Sequence, residues 1–77
     1  MSGMSRRIVV DSKILHGKPI IRGTRISVEL ILELLASGMD KEEILKQYPN
    51  LKRGDVLAAV DYAAKTLKHE EVILIGK

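Results

Sequence analysis

The run SVELILELLASG, Ser27 to Gly38, limits what this chain can become more than any other part of it. Ser27 is a good N-cap, Glu29 puts an acid where the helix dipole favours one, and Gly38 supplies a left-handed stop. Between them Val28, Ile31, Leu32 and Leu35 fall on one stripe at helical spacing, with Leu30 and Leu34 beside it. The apolar surface then covers roughly half the circumference, wider than the ~100° stripe of an ordinary surface helix. Such a helix has to be covered on two sides, by other helices and by a hairpin or a second subunit.

Two more helices follow in the sequence. Asp40 and Glu43 form a D-x-x-E capping box that opens a second helix of about two turns. Ile44, Leu45 and Tyr48 are its apolar face, and Pro49-Asn50 ends it, because the residue before a proline avoids the helical region. A third helix starts near Lys52 and carries Val56, Val60, Ala63 and Leu67 on one face, with Leu57 and Ala64 alongside. Ala58, Asp61, Tyr62 and Lys65 then point outward. The start of this helix is unusual. Asp55 is placed to answer an N-cap at position 52, yet Lys52 has no acceptor side chain. Lys52 and Arg53 also put positive charge at the positive end of the dipole, unfavourable by roughly 0.3–1 kcal/mol each. Gly54 adds a further cost relative to alanine.

Ahead of the helices, RRIVV (6–10) reads as a short strand, and Pro19 opens a second extended stretch. The Gly23-Thr24 pair fits a two-residue type II′ hairpin loop, which would set Arg22 directly opposite Arg25 and Ile21 opposite Ile26. The alternative is an irregular turn that splays the arginines into water. VILI (72–75) is too apolar for an exposed edge and is expected to be a C-terminal strand over 71–75, paired with Ile8–Val10 within the chain or across a dimer. The reading is therefore one mainly α domain over 6–77: strand and hairpin over 6–26, three helices over 27–67, and a closing strand. MSGMS (1–5) carries no fold information and is expected to be disordered or a cloning remnant.

Composition narrows the function. A chain of 77 residues holds one domain with a modest core. It has no cysteine, so disulfide and thiolate chemistry are excluded, which fits a reducing cytoplasm. His16 and His69 are far apart in the sequence, and no metal-ligand spacing surrounds either, so neither a metal nor a cofactor is expected. No apolar run is long enough to span a membrane. Single Ser, Thr and Tyr residues have no histidine at a legible spacing, and HGKP is not a phosphate loop, so an enzyme is not expected. Charge is uneven: residues 1–25 hold six basic residues against one acid, and 26–51 hold two against five. The basic end calls for an anionic partner, nucleic acid first.

A helix, a short turn, a two-turn helix and a longer helix make a trihelical unit of the helix–turn–helix kind. There the third helix presents its N-terminal residues to the groove, and a phosphate in place of the missing cap would account for Lys52 and Arg53. Ala58, Asp61, Tyr62 and Lys65 lack the Arg, Asn and Gln that read base edges, so sequence-specific reading by this helix is not implied.

The run from GKPIIRGTRISVELILELLASGM through KEEILKQYPNLKRGDVLAAVDYA resembles the prokaryotic domain-of-unknown-function family numbered 433. G-K-P-x-I-x-G-T-R-I, the Gly38-Met39 break and Y-P-x-L before the third helix carry the resemblance, which covers roughly Ile8 to Ala64. It implies a homeodomain-like helix–turn–helix fold and an antitoxin role beside a PIN-like toxin, with no catalytic residues. Relatives often have Thr or Ser in place of Lys52 and an acid in place of Gly54, so the third helix is less well capped and more basic here.

The expectation is a cytoplasmic, dimeric DNA-binding antitoxin or repressor. Arg22, Arg25, Lys52, Arg53 and Lys65 are its candidates for nucleic-acid contact. Leu30, Leu34, Tyr62, Val72, Ile73, Leu74 and Ile75 are its candidates for the toxin or dimer interface. The competing reading is a protein-interaction module that binds no DNA. A third possibility is purely structural, with Arg22 and Arg25 folded back on Glu29 and Glu33.

Overall fold

Every helix boundary legible in the caps is closed by hydrogen bonds in the structure, a computed structural model that describes residues 6–75, with side chains to residue 68. The expectation for residues 1–5 lies outside the described residues. Helix α1 (Val28–Ala36) starts where the Ser27 hydroxyl accepts the Leu30 N–H at 2.9 Å. It stops in a Schellman motif: Gly38 N–H donates to the Leu35 carbonyl at 3.0 Å and Met39 N–H to Leu34 at 3.2 Å. Gly38 sits at φ +103, a conformation side chains resist, and Met39 turns back onto the core. Helix α2 (Lys41–Gln47) opens on the full capping box, with Glu43 N–H to Asp40 Oδ1 at 2.9 Å and Asp40 N–H to Glu43 Oε1 at 2.8 Å. Asp40→Ala removes one half of that exchange. It is expected to cost about 1 kcal/mol, a drop in Tm of roughly 4–8 °C for a domain of this size, read by thermal denaturation.

At the N-terminus, β1 (Ile8–Val10) and β2 (Pro19–Ile21) pair antiparallel, Ile8 opposite Ile21 and Val9 opposite Ile20. Pro19, which has no N–H to give, takes the first place in its strand. Beyond β2 the chain turns at Gly23. Ile21 N–H donates to the Ile26 carbonyl at 2.9 Å, so these two residues do face each other as their spacing predicts. The two-residue loop does not form. Thr24 N–H closes the turn on the Ile21 carbonyl at 3.0 Å, which places Gly23, at φ +80, third in the turn as in type II. Thr24 stabilises this alternative, its hydroxyl donating to Ile21 O at 2.8 Å while accepting from Ile26 N–H at 3.0 Å. Arg22 is thereby drawn away from Arg25, and its N–H goes to the Arg7 carbonyl at 2.7 Å.

The core lies where α1, α2, β2 and the first half of helix α3 (Arg53–Ile75) converge on Ile21, Val28, Ile31, Ile44, Leu51, Val56 and Ala59. Ile8, Leu34, Leu45 and Tyr48 pack around it, half-buried. The buried face of α3 differs from the one its larger apolar residues trace. Ala58 and Ala59 are buried, whereas Val60 and Leu67 are exposed. Alanines let α1 approach the α3 axis closely, and the buried face, centred on positions 55, 56, 58 and 59, leaves Val60 beyond its edge.

The expected C-terminal strand is corrected as well. α3 continues without a break through Ile75. No Gly or Pro intervenes between Gly54 and Gly76, and Ala, Leu, Lys and Glu are strong helix formers. The β-branched residues near the end cost too little to stop an established helix. A short apolar run alone cannot separate a strand from a helix segment. β1 has β2 for a partner. Among the described residues no helix is long and apolar enough to cross a membrane.

Candidate nucleic-acid interface

The oddities at the start of α3 resolve into one cluster. Asp55, buried despite its charge, accepts the Lys52 N–H on Oδ2 at 2.8 Å and the Arg7 guanidinium on Oδ1 at 3.0 Å. The carboxylate answers the helix start from the third position, as the spacing predicts, and Arg7 from the N-terminal segment supplies the second charge. Gly54 is where that guanidinium passes: a Cβ added there would lie 2.6 Å from Arg7 Cζ. A side chain at 54 would therefore displace the guanidinium end of Arg7, 47 positions earlier in the chain, and with it the bond to Asp55.

Around this clasp the fold gathers positive charge. Arg6, Arg7, Arg22 and Lys52, with Asn50, line a hollow of about 500 Å³ whose acid is Asp55. Arg22 is held over it by two bonds to the N-terminal segment, its N–H to Arg7 O and its Nε to Arg6 O at 2.6 Å. Its terminal guanidinium nitrogens have no protein partner among the described residues, and the head is exposed. The Asp55–Arg7 pair neutralises itself, and Arg6, Arg22 and Lys52 have no ion pair among the described residues. Asn50 and Arg22 also line a second, larger hollow of about 1230 Å³, together with Arg25, Asp11 and apolar residues that include Val9, Ile20 and Leu30.

The sequence-derived candidates therefore divide. Arg22 and Lys52 meet at one hollow, and Arg25 adjoins it. Arg53 is ion-paired with Glu42 of α2, and Lys65 with Asp61 one turn back at 3.0 Å. These pairs are exposed and worth little in themselves, but they draw both cations toward acids and away from the hollow. Glu29 does not bind Arg22 or Arg25. It holds Lys18 at 2.9 Å, and that hydrogen bond and charge, with Glu33 adding to them, raise the Lys18 pKa above its ordinary value. Leu30 lines the second hollow, Leu34 packs against the core, and Tyr62 is exposed on α3. The side chains of Val72, Ile73, Leu74 and Ile75 lie outside the described residues. The sequence does not single out Arg6, Arg7 or Asn50. Arg6 and Arg7 register there only as part of the basic N-terminal third.

Chemically, exposed guanidinium groups, an ammonium and a carboxamide around one concavity suit an oxyanion, and guanidinium matches a phosphodiester with paired donors. Among the described residues no group of three or more His, Cys, Asp or Glu is placed to hold a metal ion.

Comparison with known proteins places this architecture among relatives. Residues 8–63 match the family described as "Protein of unknown function (DUF433)". A crystal structure of a DUF433 member protein from Anabaena variabilis superposes with a TM-score of 0.76 at 26% identity, covering 90% of this chain and 68% of that one. An uncharacterized protein of Archaeoglobus fulgidus is 65% identical over 23 residues, 30% of this chain and 64% of that protein. The match thus spans less than two thirds of the archaeal relative.

Proposed function

The chain belongs to the DUF433 family, and we propose that it is a DNA-binding antitoxin or repressor whose basic hollow receives backbone phosphate. The observation that carries this reading is the hollow itself, where four basic side chains converge from the N-terminal segment, the Gly23 turn and the start of α3 against one carboxylate. Charge of one sign in a concave site raises the local concentration of an anionic partner. In a helix–turn–helix use of α2 and α3, this hollow would flank the N-terminal turn of α3 and touch the backbone, which positions a protein without reading sequence. Arg25 would extend the contact along the strand. The antitoxin role, a PIN-like toxin partner, a homodimer and a cytoplasmic setting are the finer expectations drawn from the family resemblance and the composition. Exposed Leu57, Val60 and Tyr62 on α3 offer surface for such partners.

Salt dependence tests the proposal. For duplex DNA the slope of log K against log salt should become shallower by about 0.9 for every phosphate the protein no longer neutralises. With a duplex from the protein's own upstream region, Arg22→Ala and Lys52→Ala should each weaken binding and flatten the slope by about that amount. Arg53→Ala and Lys65→Ala should change it less, because their charges are already answered. Absence of duplex binding at low salt would sink the DNA reading. Unaltered slopes for both Arg22→Ala and Lys52→Ala would move the site elsewhere. The exposed apolar residues of α3 favour a second reading, a protein-interaction module without DNA binding, which the first of those outcomes would support.

A further inference from the structure

A second concave surface lies between α1 and the middle of α3, a trough of about 560 Å³. On α1, Glu29, Leu32, Glu33 and Ala36 follow one another at i, i+3, i+4 and i+7, and on α3 Ala63 and Leu67 stand one turn apart. Each helix thus turns one stripe toward the trough, so it runs along the pair and has the shape that receives a third helix. Its floor is apolar. The Thr66 hydroxyl beside it is already spent on the Tyr62 carbonyl at 2.9 Å, and Leu67 is 62% exposed. The small side chains of Ala36 and Ala63 leave room for close approach of another backbone.

Charge tells what would fill it. The residues lining the trough include two carboxylates, Glu29 and Glu33, and no basic group. Lys18 reaches Glu29 in an exposed pair, while Glu33 has no ion pair among the described residues. A second copy of this chain is a poor occupant in a two-fold contact, because trough against trough would set the carboxylates Glu29 and Glu33 of one copy against those of the other. We propose that this trough is the docking site for an amphipathic helix of a partner protein, one whose apolar face is flanked by lysine or arginine. The inference stands apart from DNA binding, since none of the trough's residues lines the basic hollow.

Two synthetic helical peptides of about fourteen residues, roughly four turns, test it. They share leucines at i, i+3, i+4 and i+7 and differ in carrying Lys or Glu at the flanking positions. Titrated into the full chain with isotope-edited NMR, the Lys peptide should bind at least about tenfold more tightly, roughly 1.4 kcal/mol. Its shifts should centre on Leu32, Ala36, Ala63 and Leu67. Glu33→Lys, at an exposed position that leaves the fold intact, should reduce that preference or reverse it. Ala36→Arg, also exposed, should block the Lys peptide. The proposal is overturned if neither peptide binds, if both bind equally, or if Ala36→Arg leaves binding unchanged. It is overturned equally if sedimentation shows a dimer that Ala36→Arg dissociates and that excludes the peptide, which would assign the trough to a second copy.

Discussion

Replacing Asp55 with alanine is expected to lower the unfolding free energy by about 2–3 kcal/mol, a Tm loss on the order of 10–20 °C in a domain this small. Two losses combine. The Lys52 N–H forfeits its cap, worth about 1 kcal/mol, and Arg7 forfeits a charge-assisted bond of about 1.5–3 kcal/mol. The second figure is reduced because the Arg7 side chain is 40% exposed and water can take over part of the bond. Asp55→Asn keeps an acceptor for Lys52 while discarding the charge, and should lose about half as much, judged by the cap term alone. Arg7→Ala leaves a carboxylate that is only 9% exposed without its cation. A double-mutant cycle between Arg7→Ala and Asp55→Ala should therefore give a coupling of about 1 kcal/mol, within the range for residues in direct contact. Coupling below about 0.3 kcal/mol, the usual additivity error, would mean that Arg7 and Asp55 act independently and that Gly54 has another explanation.

Local signals are legible in the sequence, and distant ones are not. Ser27, the Asp40–Glu43 box and Gly38 each bond within five residues of themselves, so spacing alone locates the ends of α1 and α2. Asp55 is half legible. Its reach back to position 52 is local, but its cation comes from Arg7, 48 residues away. Gly54 looks like a pure penalty in the sequence for the same reason, since the guanidinium it leaves room for belongs to Arg7. On the functional side Arg22 and Lys52 can be singled out one at a time. That they share a hollow with Arg6 and Arg7 depends on Arg22 N–H bonding to Arg7 rather than to Arg25, a choice made by the Thr24 hydroxyl. The trough cannot be foreseen. Its floor combines residues about thirty positions apart, and the larger apolar side chains of α3 point to a buried face other than the real one, which hides what remains uncovered.

The core where α1 meets the buried face of α3 yields the last large effect. Ile31 is fully buried in the core cluster that also holds Ile21, Ile44, Val56 and Ala59. Ile31→Ala should cost about 3–4 kcal/mol, the removed transfer energy plus the cavity left behind. A domain of this size has only about 4–12 kcal/mol in total, so the variant should be partly unfolded at physiological temperature. On α3 the two registers make opposite predictions. If Val60 were a core residue, as the larger apolar side chains suggest, Val60→Ala would cost well over 1 kcal/mol. With Val60 43% exposed and Ala59 fully buried, Val60→Ala should stay within about 0.5 kcal/mol, while Ala59→Val should cost about 1–3 kcal/mol by overpacking. Urea unfolding of the three variants reads all of this in one experiment. A costly Val60→Ala beside a harmless Ala59→Val would rotate α3 to the other register, and with it the trough between α1 and α3 would close.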